Sequence, residues 1–145
     1  MKNLRLLFFL FLSVLIVPLV SCDDDDDDAE PSRRELLTSG QWTAFGLYQG
    51  NQDMTPLLVA AGLNISDMKI TFKDDGTYTA TAVDGSQDSG TWEFTNNEQA
   101  ILFDKGDQDN ELTAVINKLD NSELFLEGEI ETDNGTMEGE IRFRR

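Results

Sequence analysis

The sequence contains no histidine and only one cysteine, Cys22. Histidine is the commonest general base, the proton acceptor of the usual serine triad and the most frequent metal ligand. A single cysteine cannot form a disulfide within the chain. We therefore expect no catalytic residues, no metal site and no cofactor, and we do not expect an enzyme.

Carboxylates are the only abundant groups that could still carry chemistry. A pair of them can act as acid and base, as in glycoside hydrolysis, but the chain has 28 Asp and Glu residues and no spacing singles out two. The run from Asp104 to Glu111 places oxygen ligands at alternating positions, as in a calcium loop. Because it lacks the glycine and the final glutamate of that template, we predict an acidic loop there.

Basic residues are scarce, with 11 Lys and Arg against 28 Asp and Glu, which gives a formal net charge of −17 at pH 7. Phosphates would be repelled, and no basic patch exists to release counterions, so the sequence excludes nucleic acid as a partner. The same field would repel anionic small molecules and favour neutral, apolar or cationic ones.

Only one long hydrophobic run is present, from Leu6 to Val20, and it follows Lys2 and Arg5. As a helix it would reach only about 22 Å, whereas the hydrocarbon core of a bilayer is about 30 Å thick. The layout is that of a secretory signal peptide rather than of a membrane span. We predict a signal peptide over residues 1–21.

The lone cysteine lies at the end of this run. Leu19-Val20-Ser21-Cys22 resembles the lipobox of bacterial lipoproteins. The resemblance implies cleavage after Ser21 and acylation of Cys22, with palmitate or a similar chain, so that the membrane becomes a partner through a lipid anchor. Two or more acyl chains hold a protein durably to a bilayer. The alternative is a plain secretory signal with a cysteine near the cut.

Six consecutive aspartates, Asp23 to Asp28, follow the cysteine. They repel one another and have no apolar surface to bury, which indicates an extended, solvated tether. We assign residues 22–38 to the lipidated cysteine and this tether. The acidic run is similar to the export tag of Bacteroidota-type lipoproteins, and this implies an outer-membrane location at the cell surface.

The rest of the chain alternates polar and apolar residues in short segments divided by turn residues, a pattern typical of half-buried strands. The predicted strands cover residues 40–48, 67–73, 77–83, 90–95, 100–104, 111–119, 122–131 and 136–143. Asn134-Gly135 is a strong signal for a two-residue hairpin turn. The link over residues 50–66 contains Thr55-Pro56 and Gly62, which predict one short helix.

Each predicted strand has mainly one apolar face, so the sheet must cover itself. The short turns favour an all-β, eight-stranded antiparallel up-and-down barrel over residues 39–145, and closure also removes exposed sheet edges. A two-sheet sandwich is the alternative.

Four stretches resemble the lipocalin-like domains of bacterial lipoproteins. They are KITFKDDGTYTAT (69–81), SGTWEF (89–94), AILFD (100–104) and INKLDNSELFLEG (116–128). The resemblance implies an eight-stranded barrel with room for a central cavity, and it implies little about chemistry.

Aromatic residues are the candidates for a binding site, because their faces stack on rings and apolar groups. The predicted ligand-binding residues are Trp42, Tyr48, Phe72, Tyr78, Trp92, Phe94 and Phe103. We expect Trp42, Tyr78 and Trp92 to line a mouth beside residues 50–66, with space left by the small residues Ala80, Ala82, Ala114 and Gly128. The predicted function is binding of a small apolar or ring-bearing ligand. In the alternative the rings fill the interior, and the protein is a non-catalytic interaction or structural component of the envelope with a protein partner.

Overall fold

A computed structural model of the chain describes residues 30–132 and 135–145. Nine strands, two α-helices and one 3₁₀ helix follow one another in this part of the chain. They are α1 (Arg33–Thr38), β1 (Gln41–Gln49), β2 (Gln52–Asp53), α2 (Thr55–Ala60), the 3₁₀ helix (Ile65–Asp67), β3 (Lys69–Phe72), β4 (Thr77–Thr81), β5 (Gln87–Thr95), β6 (Ala100–Phe103), β7 (Leu112–Leu119), β8 (Glu123–Thr132) and β9 (Gly135–Arg144). Within these residues no helix has the length and apolarity needed to cross a membrane.

The strands form one closed antiparallel barrel. From β3 to β9 each strand pairs with the next, β1 pairs with β3, and the barrel closes where β1 pairs with β9, from Thr43 opposite Arg144 to Tyr48 opposite Glu140. The two-residue strand β2 only extends the edge of β1. The eight predicted strands and the up-and-down order are confirmed, and the sandwich is excluded.

A bulge in β1 changes which of its side chains face inward. Ala44 lies opposite Phe143, but the next paired residue is Gly46, opposite Arg142, so Phe45 is the extra residue. Because side chains alternate between faces, one extra residue reverses the alternation beyond it. Ala44 and Leu47 therefore face the interior, whereas Tyr48 faces outward.

The predicted short helix in the link is present as α2, which begins at Thr55 and has proline in its first turn. Gly62 follows it with a φ of 78°, a conformation that glycine adopts without strain. At the hairpin predicted for Asn134-Gly135, Thr132 of β8 lies opposite Gly135 of β9. Asn134 itself lies outside the described residues.

The helix α1 differs from the tether predicted for residues 22–38. Ser32 and Glu35 form a reciprocal cap, in which the Glu35 amide donates to Ser32 Oγ (3.2 Å) and the Ser32 amide donates to Glu35 Oε2 (2.7 Å). Leu37 is fully buried in the core. The helix thus packs with the barrel, and a domain start at residue 39 is too late. The predicted signal peptide, Cys22 and the aspartate run lie outside the described residues.

The two ends of the barrel differ. The closed end consists of α1 and the turns at residues 73–76, 96–99 and 120–122. Loops at residues 82–86 and 104–111 lie at the opposite, open end, where Thr132 of β8 is also paired with Gly135 of β9. The largest fully buried side chains are Trp42, Phe72, Leu37, Ile101 and Leu124. Among the described residues, the buried core residues lie between Leu37 and Phe143, and a chain that begins at residue 22 contains all of them.

Candidate functional site

A cavity of about 610 Å³ occupies the half of the barrel near the open end. Inward-facing apolar side chains from six strands form its walls, among them Ile70, Ala80, Phe103, Ala114, Leu126 and Phe143. This volume lies within the range of about 300–1,000 Å³ that is common for small-molecule sites.

Small residues leave the cavity its space. Ala80, Ala82, Ala114 and Gly128, which the sequence analysis singled out, all line it. On the neighbouring strand, Gly139 lies opposite Gly128. A methyl group at Gly139 would lie 2.7 Å from Ile130 Cδ1, so a larger residue there would push Ile130 aside.

Tyr78 and Asp104 form the one polar pair that we identify in the cavity wall. The Tyr78 hydroxyl donates to Asp104 Oδ2 at 2.8 Å, and the Thr91 amide donates to Asp104 Oδ1 at 2.8 Å. Asp104 has a φ of 50° and lies against Gly90. A methyl group at Gly90 would lie 1.9 Å from Asp104 Oδ1, so only glycine leaves room for this carboxylate.

The Tyr78 side chain is buried, with 7% of its surface exposed. Burial raises the pKa of its hydroxyl well above the ordinary value, and the hydrogen bond to Asp104 and the charge of that carboxylate add to the shift. The phenol is therefore neutral at physiological pH. Because its proton is donated to Asp104, its oxygen offers the cavity an acceptor.

Charged residues are concentrated at the mouth of the cavity. The carboxylates that line it from inward or loop positions are Asp88, Asp109 and Glu111. Glu129 and Lys69 border it from strand positions that alternate to the outer face. The Gly106 amide donates to Glu111 Oε2 at 2.7 Å and holds one side of the loop. In the described part of the chain, no group of three or more acidic or cysteine side chains is arranged to hold a metal ion.

Of the predicted ligand-binding residues, the structure brings two into the cavity. Tyr78 and Phe103 line it and contact each other edge to face, with ring centroids 5.2 Å apart. Trp42, Phe72, Trp92 and Phe94 are not in the lining and instead pack in the half near the closed end.

The two tryptophans close that end of the barrel. Trp42 Nε1 donates to the Leu37 carbonyl at 2.9 Å, and Trp92 Nε1 donates to the Lys73 carbonyl at 3.0 Å. The guanidinium of Arg145 lies 4.2 Å from the Trp42 ring, and that of Arg34 lies 4.7 Å from the Trp92 ring. Both indoles are satisfied by the protein itself, so the mouth predicted at Trp42 and Trp92 is a plug.

Tyr48 lies on the outside of the barrel because of the β1 bulge. The Arg142 guanidinium lies 3.7 Å from the Tyr48 ring and 4.7 Å from the Phe125 ring. Phe45 contacts Phe125 edge to face at 6.3 Å. We call Phe45, Tyr48, Phe125 and Arg142 the outer aromatic surface.

Sequence reasoning missed several cavity residues. Leu126, Ile141 and Phe143 alternate with polar residues in the predicted strands 122–131 and 136–143, and that alternation is the signal for them. Asp104 was considered only as part of a calcium loop, and nothing local in the sequence indicates its bond to Tyr78, which is 26 residues away.

Comparisons with known proteins agree with this architecture. The sequence matches the lipocalin-like domain family over residues 38–126. A crystal structure of a DUF4847 family protein from Bacteroides vulgatus is similar, with 18% identity, 78% of this chain and 96% of that chain covered, and a TM-score of 0.52. A lipocalin-like protein from Bacteroides uniformis has 16% identity, 76% and 98% coverage, and a TM-score of 0.47. No match was found among curated proteins.

The family match spans more than half of the chain and includes six complete barrel strands and the beginning of β8. The protein therefore belongs to the lipocalin-like domain family, whose barrel is compatible with ligand binding.

Proposed function

We propose that the protein binds a small apolar or ring-bearing molecule in the barrel cavity and does not catalyse a reaction. The observation that carries this proposal is the cavity of about 610 Å³, with apolar walls and access from the open end. Apolar walls with a few fixed polar groups are the usual composition of a small-molecule site.

The test compares one substitution inside the barrel with its neighbour outside. Ala114 is buried on the cavity wall, whereas Val115 is 47% exposed on the outer face. In a chain of residues 22–145 with Cys22→Ser, Ala114→Leu should abolish the fluorescence increase of added N-phenylnaphthylamine. Val115→Leu should leave it unchanged.

The measurement is a fluorescence titration, with urea unfolding as the control for folding. Native mass spectrometry of protein from its host would reveal a molecule carried in the cavity. Probe binding that survives Ala114→Leu unchanged would contradict a site inside the barrel.

We also propose that Cys22 is acylated and holds the protein at the outer membrane, facing outward. Support comes from Leu19-Val20-Ser21-Cys22 and from the aspartates Asp23 to Asp28. Metabolic labelling with palmitate should mark the wild-type protein and not Cys22→Ser. Protease added to intact cells should digest the domain, and protection until lysis would contradict outward exposure.

A second candidate function rests on the outer aromatic surface. Its rings lie on the exterior, where Arg142 is held between Tyr48 and Phe125 and its Nε donates to Glu140 at 2.6 Å. Aromatic residues and arginine are enriched in protein interfaces. This surface favours an envelope protein as partner.

Tyr48→Ala should lower copurification of such a partner while leaving probe binding unchanged. If Tyr48→Ala leaves the copurification of every crosslinked partner unchanged, the outer aromatic surface is not the binding surface. Loss of probe binding in this variant would also contradict its assignment to a site separate from the cavity.

A further inference from the structure

The fixed polar pair in the cavity wall presents acceptors rather than donors. Both oxygens of Asp104 accept protein hydrogen bonds and retain lone pairs, since a carboxylate has about four acceptor positions. The Tyr78 hydroxyl uses its proton on Asp104. A ligand that reaches this wall meets a carboxylate and a phenol oxygen, and these groups are best satisfied by a donor with positive charge.

The mouth of the cavity also favours a ligand with positive charge. Three carboxylates, on Asp88, Asp109 and Glu111, line it from inward or loop positions. Glu129 and Lys69 also border it, but they alternate with the inward-facing Gly128 and Ile70, so their side chains face outward. The uncharged polar residues beside the carboxylates include Ser86 and Asn110. With Asp104 included, four carboxylates and no basic side chain of the described lining face the cavity. Such a mouth attracts cations and excludes anions.

We propose that the cavity binds a cationic amphiphile, with an apolar body against the alanine and phenylalanine walls and an ammonium-type head at Asp104 or at the mouth. This inference rests on the proposed function and adds the charge of the ligand to it. The apolar walls alone would accept a fatty acid, an alcohol or an amine. The carboxylates favour the amine over the alcohol and the fatty acid, because the amine is positively charged.

Three probes of equal chain length isolate the head group: decylammonium, decanol and decanoate. The protein is the chain of residues 22–145 with Cys22→Ser, and displacement of N-phenylnaphthylamine gives each affinity. A hydrogen bond to a charged group is worth about 1.5–3 kcal/mol, so decylammonium should bind about tenfold or more tightly than decanol. Decanoate should bind more weakly than decanol.

Two variants assign the preference to named carboxylates. Asp104→Asn keeps an oxygen for the Thr91 amide and should reduce the preference for decylammonium over decanol to about threefold or less. Asp109→Asn combined with Glu111→Gln removes two charges at the mouth and should lower that preference while decanol affinity stays unchanged. Glutamine keeps an oxygen for the Gly106 amide, so this second variant covers the case in which Asp104→Asn fails to fold.

A matched control removes the same charge elsewhere. Glu30 and Glu98 are exposed and lie outside the cavity lining, Glu98 in a turn at the closed end. The double variant Glu30→Gln and Glu98→Gln should leave the relative affinities of the three probes unchanged. An equal loss of preference in this control would overturn the assignment to the mouth.

The possible results separate the two proposals. The proposed function itself fails if none of the three probes displaces N-phenylnaphthylamine. It also fails if Ala114→Leu leaves the binding of these probes unchanged. If all three bind equally, or decanoate binds most tightly, the cavity is a ligand site but the inference of a cationic ligand is overturned.

Discussion

The two halves of the barrel are built from the same alternating strands but contain different side-chain volumes. Near the closed end, Trp42, Phe72 and Leu37 are almost completely buried and leave no space in the core. Near the open end, Ala80, Ala114 and Gly128 occupy the inward positions and a cavity of about 610 Å³ remains. The comparison indicates that one half provides most of the stability, whereas the other leaves space inside the barrel.

Removal of an indole from the closed half should have the largest effect. Trp42 has no exposed surface, and Trp42→Ala should destabilise the fold by about 3–5 kcal/mol. Urea unfolding measures the free energy of unfolding, with Val115→Ala on the outer face as the control. A loss of less than about 1 kcal/mol would show that the closed half is not the main source of stability.

Truncation of Leu37 tests whether α1 belongs to the closed half. Leu37 is completely buried, whereas its neighbour Leu36 is half-buried. Leu37→Ala should cost about 2–4 kcal/mol in the free energy of unfolding, and Leu36→Ala should cost clearly less. Equal small effects would mean that α1 contributes little and that the tether continues to residue 38.

The same enlargement in each half should give different results. Ala44 has no exposed surface and faces the filled part of the barrel, opposite Phe143. Ala44→Leu should overpack the core and destabilise the protein by about 1–3 kcal/mol. Ala114→Leu enters the cavity and should change the unfolding free energy by less than about 1 kcal/mol. If both variants lose the same stability, the cavity does not accept added volume.

Loss of the Tyr78 hydroxyl should have a small effect on stability. Tyr78→Phe removes one hydrogen bond to Asp104, and we expect a loss of about 1 kcal/mol at pH 7. Asp104 keeps its bond to the Thr91 amide, and this limits the cost. Urea unfolding at fixed pH provides the measurement.

The pH dependence of this bond has a definite sign. The folded state raises the pKa of Tyr78 above its ordinary value of 10.0, so it holds the proton more tightly than the unfolded chain does. The contribution is fully present below about pH 10 and is lost as the pH rises beyond it. Between pH 10 and 12 the wild type should therefore lose stability more steeply than Tyr78→Phe. Parallel curves would contradict the role of this hydroxyl.

The sequence was sufficient for the strands because the apolar alternation is regular on both sides of each turn. It was also sufficient for the small residues of the cavity, since Ala80, Ala82, Ala114 and Gly128 occupy inward positions of predicted strands. The helix α1 was missed, and its residues were assigned to the tether, although Ser32-Arg-Arg-Glu35 fits the capping-box pattern. A six-residue helix has too little periodicity to stand out by its apolar spacing.

Other features depend on tertiary structure and could not be read locally. Tyr48 changes face because of one extra residue at Phe45, and an alternating pattern does not reveal a bulge. The sequence marks Trp42 and Trp92 as inward-facing but does not say which end they occupy. Their assignment to a plug follows from α1 and from the carbonyls that accept their indole protons.

The contact between Gly90 and Asp104 links two positions that are far apart in sequence. Any side chain at Gly90 would occupy the place of the Asp104 carboxylate, so a substitution at one position changes what the other can be. Across related chains, we expect the two residues to covary: glycine at 90 should accompany a short carboxylate or amide at 104, and chains that lose one should lose both. Gly90 would then be a sequence marker for ligand specificity in related proteins.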